Sequence, residues 1–228
     1  MKTQNVLLTT IAILSSSLLS AQQQPEKIDS INKVIVSDGI VLQIERAPEF
    51  TLKIKSEDLQ DDCLIKTIEN GTLTLKIKSG FGCRGDVTVD LTCPTLTSIE
   101  ATAKAQIASR NVLTGDSLSL LLRTGAKAFV DLDIKYLKID LTEGALFSAQ
   151  GYAVNQDISV SSFATYSGFK LEGDKVNVST QSGGKAKLCA NKELHAEAVG
   201  GGYVSYKCNP DKKTLEPKGN GTIEESND

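Results

Sequence analysis

The segment LSLLLRTGAKA, which begins at Leu118, is the first of five similar segments in this chain. The others are LKIDLTEGALF from Leu137, ISVSSFATYSG from Ile158, VNVSTQSGGKA from Val176 and LHAEAVGGGYV from Leu194. Their starts are 19, 21, 18 and 18 residues apart, and in four of the five a glycine stands seven positions after the start. The sequence therefore contains an internal repeat of 18 to 21 residues.

Apolar and polar residues alternate inside these segments, which is typical of a β-strand rather than a helix. A repeat of this length holds two or three short strands and is too short for a propeller blade of about 40 residues. It fits one coil of a β-solenoid, in which each strand pairs in parallel with its copy in the next coil. We therefore predict an all-β, right-handed parallel β-helix with about 18–22 residues per coil, because parallel crossovers are almost always right-handed.

Equivalent positions of successive coils should lie above one another in columns. The segment starts predict an inward-facing column of Leu118, Leu137, Ile158, Val176 and Leu194. The glycines predict a column of corners with positive φ, formed by Gly125, Gly144, Gly183 and Gly201. Thr165 in the third segment, and Ala103 in an irregular coil from Leu96 to Asp116, stand where the pattern expects glycine. Proline, which cannot donate a ladder hydrogen bond, is absent from residues 95 to 209.

The two ends of the chain differ from this repeat. Residues 1–21 resemble a secretory signal peptide, with Lys2, an apolar run over residues 6–19 and the small pair Ser20-Ala21. We predict a flexible lead-in over 22–30, a single β-helix domain over 31–224 and a disordered tail over 225–228. The alternating strands before residue 94 lack the glycine pattern, so they form either irregular first coils or a capping sheet.

Charge and hydrophobicity exclude some partners. The net charge of the 228 residues is −3, it becomes −4 without residues 1–21, and no basic run exists, so nucleic acid is not expected as a partner. The apolar run of 14 residues would extend about 21 Å as a helix, which is short of a bilayer core of about 30 Å. We expect an exported chain with no membrane span in its mature part.

Five cysteines in an exported chain predict disulfides. Cys189 and Cys208 fall on adjacent coils within one register step of each other, and a strand spacing of about 4.8 Å would allow a bond. The alternative is two buried thiols. Among Cys63, Cys83 and Cys93 one must be left over, and we favour a Cys63–Cys83 bond. No zinc site is expected, because the sequence has no C-x-x-C and a single histidine.

Other candidate sites are weaker. His195 and Glu197 share an outward face, but no nucleophile is evident beside them, so a solvated histidine is favoured. Asp131, Asp133 and Asp140 could form an acidic patch. The residues two positions before the first residue of each segment should form another column, which comprises Asp116, Lys135, Gln156, Asp174 and Lys192. Because this column contains both acidic and basic residues, it favours ion pairs over a ladder of calcium sites. Five aromatic residues either form a platform for sugar rings or, as we favour, fill the core: Phe147, Tyr152, Phe163, Tyr166 and Phe169.

The order of these features resembles a known family. An alternating strand pair, a hairpin at Asn70-Gly71, a strand ending in CPTL, and glycine-punctuated coils before GGGYVSYKCNP are similar to the auto-transporter adhesin head domains of the GIN type. The similarity spans residues 31–223. It implies a right-handed parallel β-helix exported to the periplasm or the cell surface, and it supplies no catalytic residues to carry over.

Together these features predict a secreted or cell-surface, non-catalytic binding module with no cofactor. It would present an outward polar column to a glycan or a surface protein: Ser119, Lys138, Ser159, Asn177 and His195. One alternative is a carbohydrate-active enzyme or polysaccharide binder on the same scaffold. Another is a structural subunit that stacks end to end, and self-association stays open.

Overall fold

A computed structural model describes residues 24–60, 62–80, 82–83 and 85–226. The predicted signal peptide and residues 227–228 lie outside these described residues. Nine strands come from the first half of the chain: β1 (Glu26–Lys27), β2 (Lys33–Val36), β3 (Val41–Arg46), β4 (Thr51–Glu57), β5 (Leu64–Glu69), β6 (Thr72–Ile77), β7 (Asp86–Cys93), β8 (Ser98–Ala101) and β9 (Gln106–Ser109). Eight more follow: β10 (Leu113–Leu122), β11 (Lys127–Leu141), β12 (Leu146–Val160), β13 (Thr165–Gln181), β14 (Lys185–Val199), β15 (Tyr203–Lys207), β16 (Lys212–Lys218) and β17 (Thr222–Glu225).

The strands form a parallel β-solenoid of about seven turns, which confirms the predicted fold class. Strands β10 to β14 pair in parallel, each with the next along the chain, and β14 then pairs in parallel with both β15 and β16. Within β11 to β14 every second residue is buried over long stretches, because alternate side chains point into the solenoid. The repeat seen in the sequence is therefore one coil.

The central inward column differs from the prediction in its third coil. Leu118 pairs with Leu137 as expected, but Leu137 pairs with Gln156 and not with Ile158. Gln156 then pairs with Val176, and Ile158 lies in the adjacent column between Ile139 and Val178. The prediction is wrong there by two residues. A shift of two keeps every side chain on the same face of the strand, so alternation alone could not reveal it.

The corners explain this shift. Gly125, Gly144, Gly183 and Gly201 all have positive φ, between 70° and 79°, and each follows a residue that also has positive φ. In the third segment the equivalent residue is Phe163, with a φ of 62°, and not Thr165. In the coil from Leu96 to Asp116, before the first segment, the equivalent pair is Ala103-Lys104, so Lys104 and not Ala103 stands at the glycine position. A sequence search for glycine therefore misplaces the third corner, because a bulky residue occupies a conformation that usually favours glycine.

The strands before residue 94 form both coils and a cap. Strand β2 lies between β6 and β8, and β3 lies between β7 and β9, all in parallel. The β6–β7 coil therefore stacks outside the β2–β3 coil although it comes later in the sequence. Beyond it, β4 pairs antiparallel with β7, β5 pairs antiparallel with β6, and β1 pairs antiparallel with β4. These outer strands cover the first end of the solenoid.

Two predicted flexible segments are ordered in part. Glu26 and Lys27 pair with β4, and the Ile28 amide donates to the Phe50 carbonyl at 3.2 Å, so a flexible lead-in over 22–30 is wrong for these residues. At the other end, Glu225 belongs to β17 and the Ser226 amide donates to the Tyr206 carbonyl at 2.8 Å. The tail is therefore paired as far as residue 226, because the last coil still finds ladder partners.

The interior is filled by side chains from successive coils. Phe147 and Tyr166 are both completely buried, and their rings stack with centroids 5.3 Å apart and an interplanar angle of 13°. Large aliphatic residues fill the first coils, whereas small residues such as Ala186, Ala196 and Ala198 line the later ones. Each large buried side chain contributes about 1.5–3 kcal/mol.

Candidate functional site

A groove of about 640 Å³ runs along the solenoid on the face that contains the central column. Its floor is the inward column from Leu118 to Leu194, and outward side chains on either side of each floor residue form its two walls. We call one wall the paired wall; it comprises Ser117, Tyr136, Asn155, Lys175, Glu193 and Lys212. We call the other the open wall; it comprises Ser119, Lys138, Asp157, Asn177, His195 and Thr214.

The paired wall satisfies most of its own polar groups. Glu193 accepts ion pairs from Lys212 at 3.1 Å and from Lys175 at 3.2 Å. Hydrogen bonds from Lys212 and Lys175 lower the pKa of the Glu193 carboxyl below its usual value. Asn155 donates to the Lys135 carbonyl at 3.3 Å. The one carboxylate of this wall is therefore shared by two ammonium groups, which leaves the wall with one net positive charge.

The open wall is different. Within the part of the chain that the structure describes, its six side chains form no hydrogen bond and no ion pair within 4.0 Å. Lys138 and Asp157 are direct register partners, yet they too lie outside ion-pair distance. The open wall thus offers hydroxyl, ammonium, carboxylate, amide and imidazole groups to the groove with their hydrogen-bonding capacity unused by the protein.

The floor contains one buried polar residue. Gln156 is only 3% exposed, and it accepts a hydrogen bond from the Tyr166 hydroxyl at 2.8 Å through Oε1. Its amide nitrogen donates to the Glu172 carbonyl at 3.2 Å. Burial raises the pKa of the Tyr166 hydroxyl, which therefore remains a neutral donor. Gln156 is satisfied inside the protein and serves the core.

Four residues of the predicted polar column lie together in the open wall: Ser119, Lys138, Asn177 and His195. Ser159 does not, because the third coil is shifted by two residues and places Asp157 in its position. Sequence reasoning also missed Tyr136, which is 62% exposed and lines the groove. Its position directly before the inward Leu137 was the available signal, since neighbouring residues of a strand face opposite sides.

The five aromatic residues that could have formed either a platform or a core do not lie on one surface. Burial of Phe147 and Tyr166 supports core filling and is incompatible with a platform that includes them. Tyr152 donates to Asp174 at 2.7 Å, and Phe169 lies beneath the ammonium groups of two lysines, Lys187 and Lys207.

Phe163 is the exposed member of this set and lies on a corner. The residue is 80% exposed, and a Cβ built on Gly183 would lie 2.7 Å from its ring. Gly183 is therefore required both for its positive φ and for its lack of a side chain beneath that ring.

Both predicted disulfides are present. The Cα atoms of Cys63 and Cys83 are 5.3 Å apart, as are those of Cys189 and Cys208. Cys93 is buried with a free thiol, and its burial raises the pKa from 9.0 to about 11. This thiol is therefore unreactive at neutral pH.

The column of residues two positions before the segment starts contains ion pairs. Asp116 pairs with Lys135 at 2.7 Å and Asp174 pairs with Lys192 at 2.7 Å, as the alternating charges suggested. Gln156 was wrongly included in this column, because it belongs to the floor.

Among the described residues, no group of three or more His, Cys, Asp and Glu side chains could hold a metal ion. Glu197, which was considered as a partner of His195, pairs with Lys218 at 2.6 Å. No helix in the described part of the chain has the length and hydrophobicity needed to cross a membrane.

Solved structures from Bacteroides and Parabacteroides species have a similar fold. A crystal structure titled "putative adhesin" from Bacteroides fragilis has a TM-score of 0.81 at 20% identity, covering 89% of this chain and 95% of that one. A second so titled, from Parabacteroides merdae, has a TM-score of 0.67 at 20% identity and the same coverage. A structure titled "Putative lipid binding protein" from Parabacteroides distasonis has a TM-score of 0.70 at 15% identity, again with that coverage. At these identities the likeness shows the fold alone.

No curated protein matches the chain. The model of one family, described as "Putative auto-transporter adhesin, head GIN domain", matches residues 30–210. This match spans most of the 228 residues and includes every residue that lines the groove except Lys212 and Thr214. The chain therefore belongs to the family of auto-transporter adhesin head GIN domains.

Proposed function

We propose that this protein is an exported, non-catalytic, adhesin-like binding module that holds its ligand in the groove. The observation that carries this proposal is the contrast between the two walls. Among the residues that the structure describes, four of the six side chains of the paired wall form bonds within the protein, whereas the six side chains of the open wall form none and remain available to a partner.

The scaffold supports binding because the groove is built on paired strands and not on loops. Each open-wall residue from Lys138 to His195 has a parallel register partner in the coil on either side. The backbone of such a surface is already ordered, so a ligand has to order only side chains when it binds, which favours affinity without a large interface.

The chemistry of the groove supports binding over catalysis. Glycoside hydrolysis requires two carboxyl groups with different protonation states on either side of the bond that is cut. The groove contains Asp157 and Glu193, and the lowered pKa of Glu193 keeps it ionised between two lysines. A carboxylate held in this way stabilises a wall and cannot act as a general acid near neutral pH.

Export is supported by the two disulfides, which persist in oxidising compartments. The names of the family and of two similar structures add support for a position at the cell surface. Treatment of intact cells with a protease would test this location. Surface exposure predicts loss of the protein from intact cells, whereas a periplasmic protein would be degraded only after the outer membrane is opened.

The groove is tested with a triple variant, Lys138→Ala, Asp157→Ala and Asn177→Ala, which removes three open-wall side chains. The matched control is Lys127→Ala, Asp133→Ala and Gln150→Ala, which removes the same kinds of group from exposed positions outside the groove. Binding of both proteins and the wild type to glycan arrays and to immobilised surface proteins is measured. Loss of binding in the groove variant alone supports the proposal, and equal binding by all three would overturn it.

A further inference from the structure

We infer that the groove takes an extended, uncharged linear glycan that lies along the solenoid axis with about one sugar unit per coil. This inference rests on the proposed function and assigns the chemical class of the ligand. It is carried by the spacing of the open wall, by the charge balance of the groove and by the exposed ring of Tyr136.

The spacing of the open wall is set by the β-ladder. Parallel strands lie about 4.8 Å apart, so the five steps from Ser119 to Thr214 extend about 24 Å. One polar side chain projects at each step. A ligand that uses this wall fully must therefore be linear and must present hydrogen-bonding groups at nearly the same interval.

An extended glycan satisfies this condition better than an extended peptide. A pyranose unit in a β-1,4-linked chain advances by a distance close to the coil spacing, so successive sugars would meet successive coils. Alternate sugars face opposite ways, so the same hydroxyl groups recur at every second coil and stay in register with the wall. An extended peptide advances about 3.3 Å per residue, and its side chains on one face repeat at about 6.6 Å, so it soon falls out of register. The strands that form the walls are already paired on both sides from Lys138 to His195, which leaves no free edge there for β-strand addition.

The charges of the groove favour a neutral ligand. Lys175 and Lys212 share Glu193, and the open wall adds one lysine, Lys138, and one aspartate, Asp157. Among lysines and carboxylates, three positive charges therefore face two negative ones. A nucleic acid or a polyanionic glycan requires a stronger positive field than this. Sugar hydroxyls, which both donate and accept, match the mixture of amide, hydroxyl, carboxylate and ammonium groups.

Tyr136 provides the apolar contact that glycan recognition uses. The residue is 62% exposed, it lines the groove, and it precedes Lys138 by two positions on the same face of β11. The face of an aromatic ring packs against the C–H groups of a sugar, while the tyrosine hydroxyl stays in water. Tyr136 would thus hold one sugar while the open wall orients its neighbours.

The test is a length series of linear oligosaccharides, measured by isothermal titration calorimetry on the purified chain. The probes are β-1,4-linked glucose and β-1,4-linked N-acetylglucosamine oligomers of two to six units. Oligomers of α-1,4-linked glucose serve as ligand controls, because they have the same hydroxyl chemistry but curl. We expect at least one β-linked series to bind with an affinity that rises up to five or six units, and α-linked oligomers to bind at least about tenfold more weakly.

Variants connect this binding to the groove. Tyr136→Ala and Asn177→Ala should each weaken binding of the longest β-linked oligomer by about tenfold, the scale of one lost contact of about 1.4 kcal/mol. Phe129→Ala is the matched control for the ring, because Phe129 is also exposed on β11 but lies outside the groove. Absence of binding by every β-linked oligomer, or equal loss in Phe129→Ala, would overturn the glycan assignment. If the open-wall triple variant then still lost binding to a surface protein, the proposed function would stand and only the ligand class would fail.

Discussion

The hydrogen bond between Gln156 and Tyr166 provides a sharp test of the register, because it places a glutamine where the repeat predicts an aliphatic side chain. Both residues are buried, and the Tyr166 hydroxyl donates to Gln156 Oε1 at 2.8 Å. The amide nitrogen of Gln156 also donates to the Glu172 carbonyl. The perturbation is the pair of substitutions Gln156→Leu and Tyr166→Phe, made singly and together.

The expected magnitudes follow from the cost of leaving a buried polar atom unpaired, about 1–3 kcal/mol per group. Gln156→Leu leaves the Tyr166 hydroxyl unpaired and removes a hydrogen bond to the Glu172 carbonyl, so it should cost about 2–6 kcal/mol. Tyr166→Phe leaves Gln156 Oε1 unpaired and should cost about 1–3 kcal/mol. The double variant removes both members, so its cost should fall short of the sum by about 1–3 kcal/mol.

Urea unfolding followed by far-UV circular dichroism measures these costs, provided that the dependence on urea is the same in all variants. Thr180→Val serves as a control, because the Thr180 hydroxyl donates to the Glu197 carbonyl and contacts neither member of the pair through a hydrogen bond. The loss of unfolding free energy caused by Thr180→Val should therefore add to the loss caused by Tyr166→Phe. Strict additivity of Gln156→Leu and Tyr166→Phe would refute the reasoning, since the two side chains would then not be partners.

Three further predictions concern the end of the solenoid and the cysteines. Lys213 and Glu225 form a 3.4 Å ion pair on the last coil, and we expect these charges to prevent a second molecule from pairing with that coil. Lys213→Leu with Glu225→Val should therefore produce concentration-dependent oligomers in analytical ultracentrifugation, and a variant that stays monomeric would contradict this role. Replacing Cys189 and Cys208 with serine should cost about 3 kcal/mol of unfolding free energy, and an unchanged urea midpoint would argue against the bond. The raised pKa of Cys93, about 11 against 9.0, means that the unfolded thiol ionises first as pH rises. Stability should therefore fall between pH 9 and 11 by up to about 3 kcal/mol more in the wild type than in Cys93→Ala, and equal losses would contradict this account.

The ion pair on the last coil also bears on end-to-end stacking. The strand β16 that carries Lys213 is mostly exposed and includes Pro217, which cannot donate a ladder hydrogen bond. Lys213 stacks on the inward Leu194, so a charge lies where a further coil would need an apolar side chain. These are the features by which natural edge strands avoid pairing with other molecules, and they count against a subunit that stacks through this end.

Much of the fold could be predicted because a solenoid repeats its local chemistry. Alternation in the five segments fixed which side chains face inward, and the glycines at Gly125, Gly144, Gly183 and Gly201 marked four corners correctly. The third corner could not be found in this way, because Phe163 adopts positive φ without being glycine. Nor could the sequence reveal that the β6–β7 coil stacks outside β2–β3, since that order depends on which strand edges meet in space.

The candidate site could be predicted only in outline. Alternation placed Lys138, Asn177 and His195 on an outward column, and the structure adds that this column lines a groove. The distinction between the walls depends on ion pairs between coils, such as Lys175 with Glu193, which are 18 positions apart in the sequence. Such pairs can be predicted only when the register between neighbouring coils is known. An error of two residues in that register placed Ser159 in the predicted column instead of Asp157.

The register that aligns the open wall is tested most directly by engineered disulfides between the second and third coils, in a Cys93→Ala background. Lys138 and Asp157 are register partners, so their Cα atoms should lie about 4.8 Å apart, within the range of a disulfide. A cysteine pair at Lys138 and Ser159 would be offset by two residues and separated by about 8 Å, which is too far. Non-reducing peptide mapping after mild oxidation should therefore find the Lys138→Cys/Asp157→Cys bond formed and the Lys138→Cys/Ser159→Cys bond absent. The reverse result would contradict the stacking of the coils and, with it, the groove.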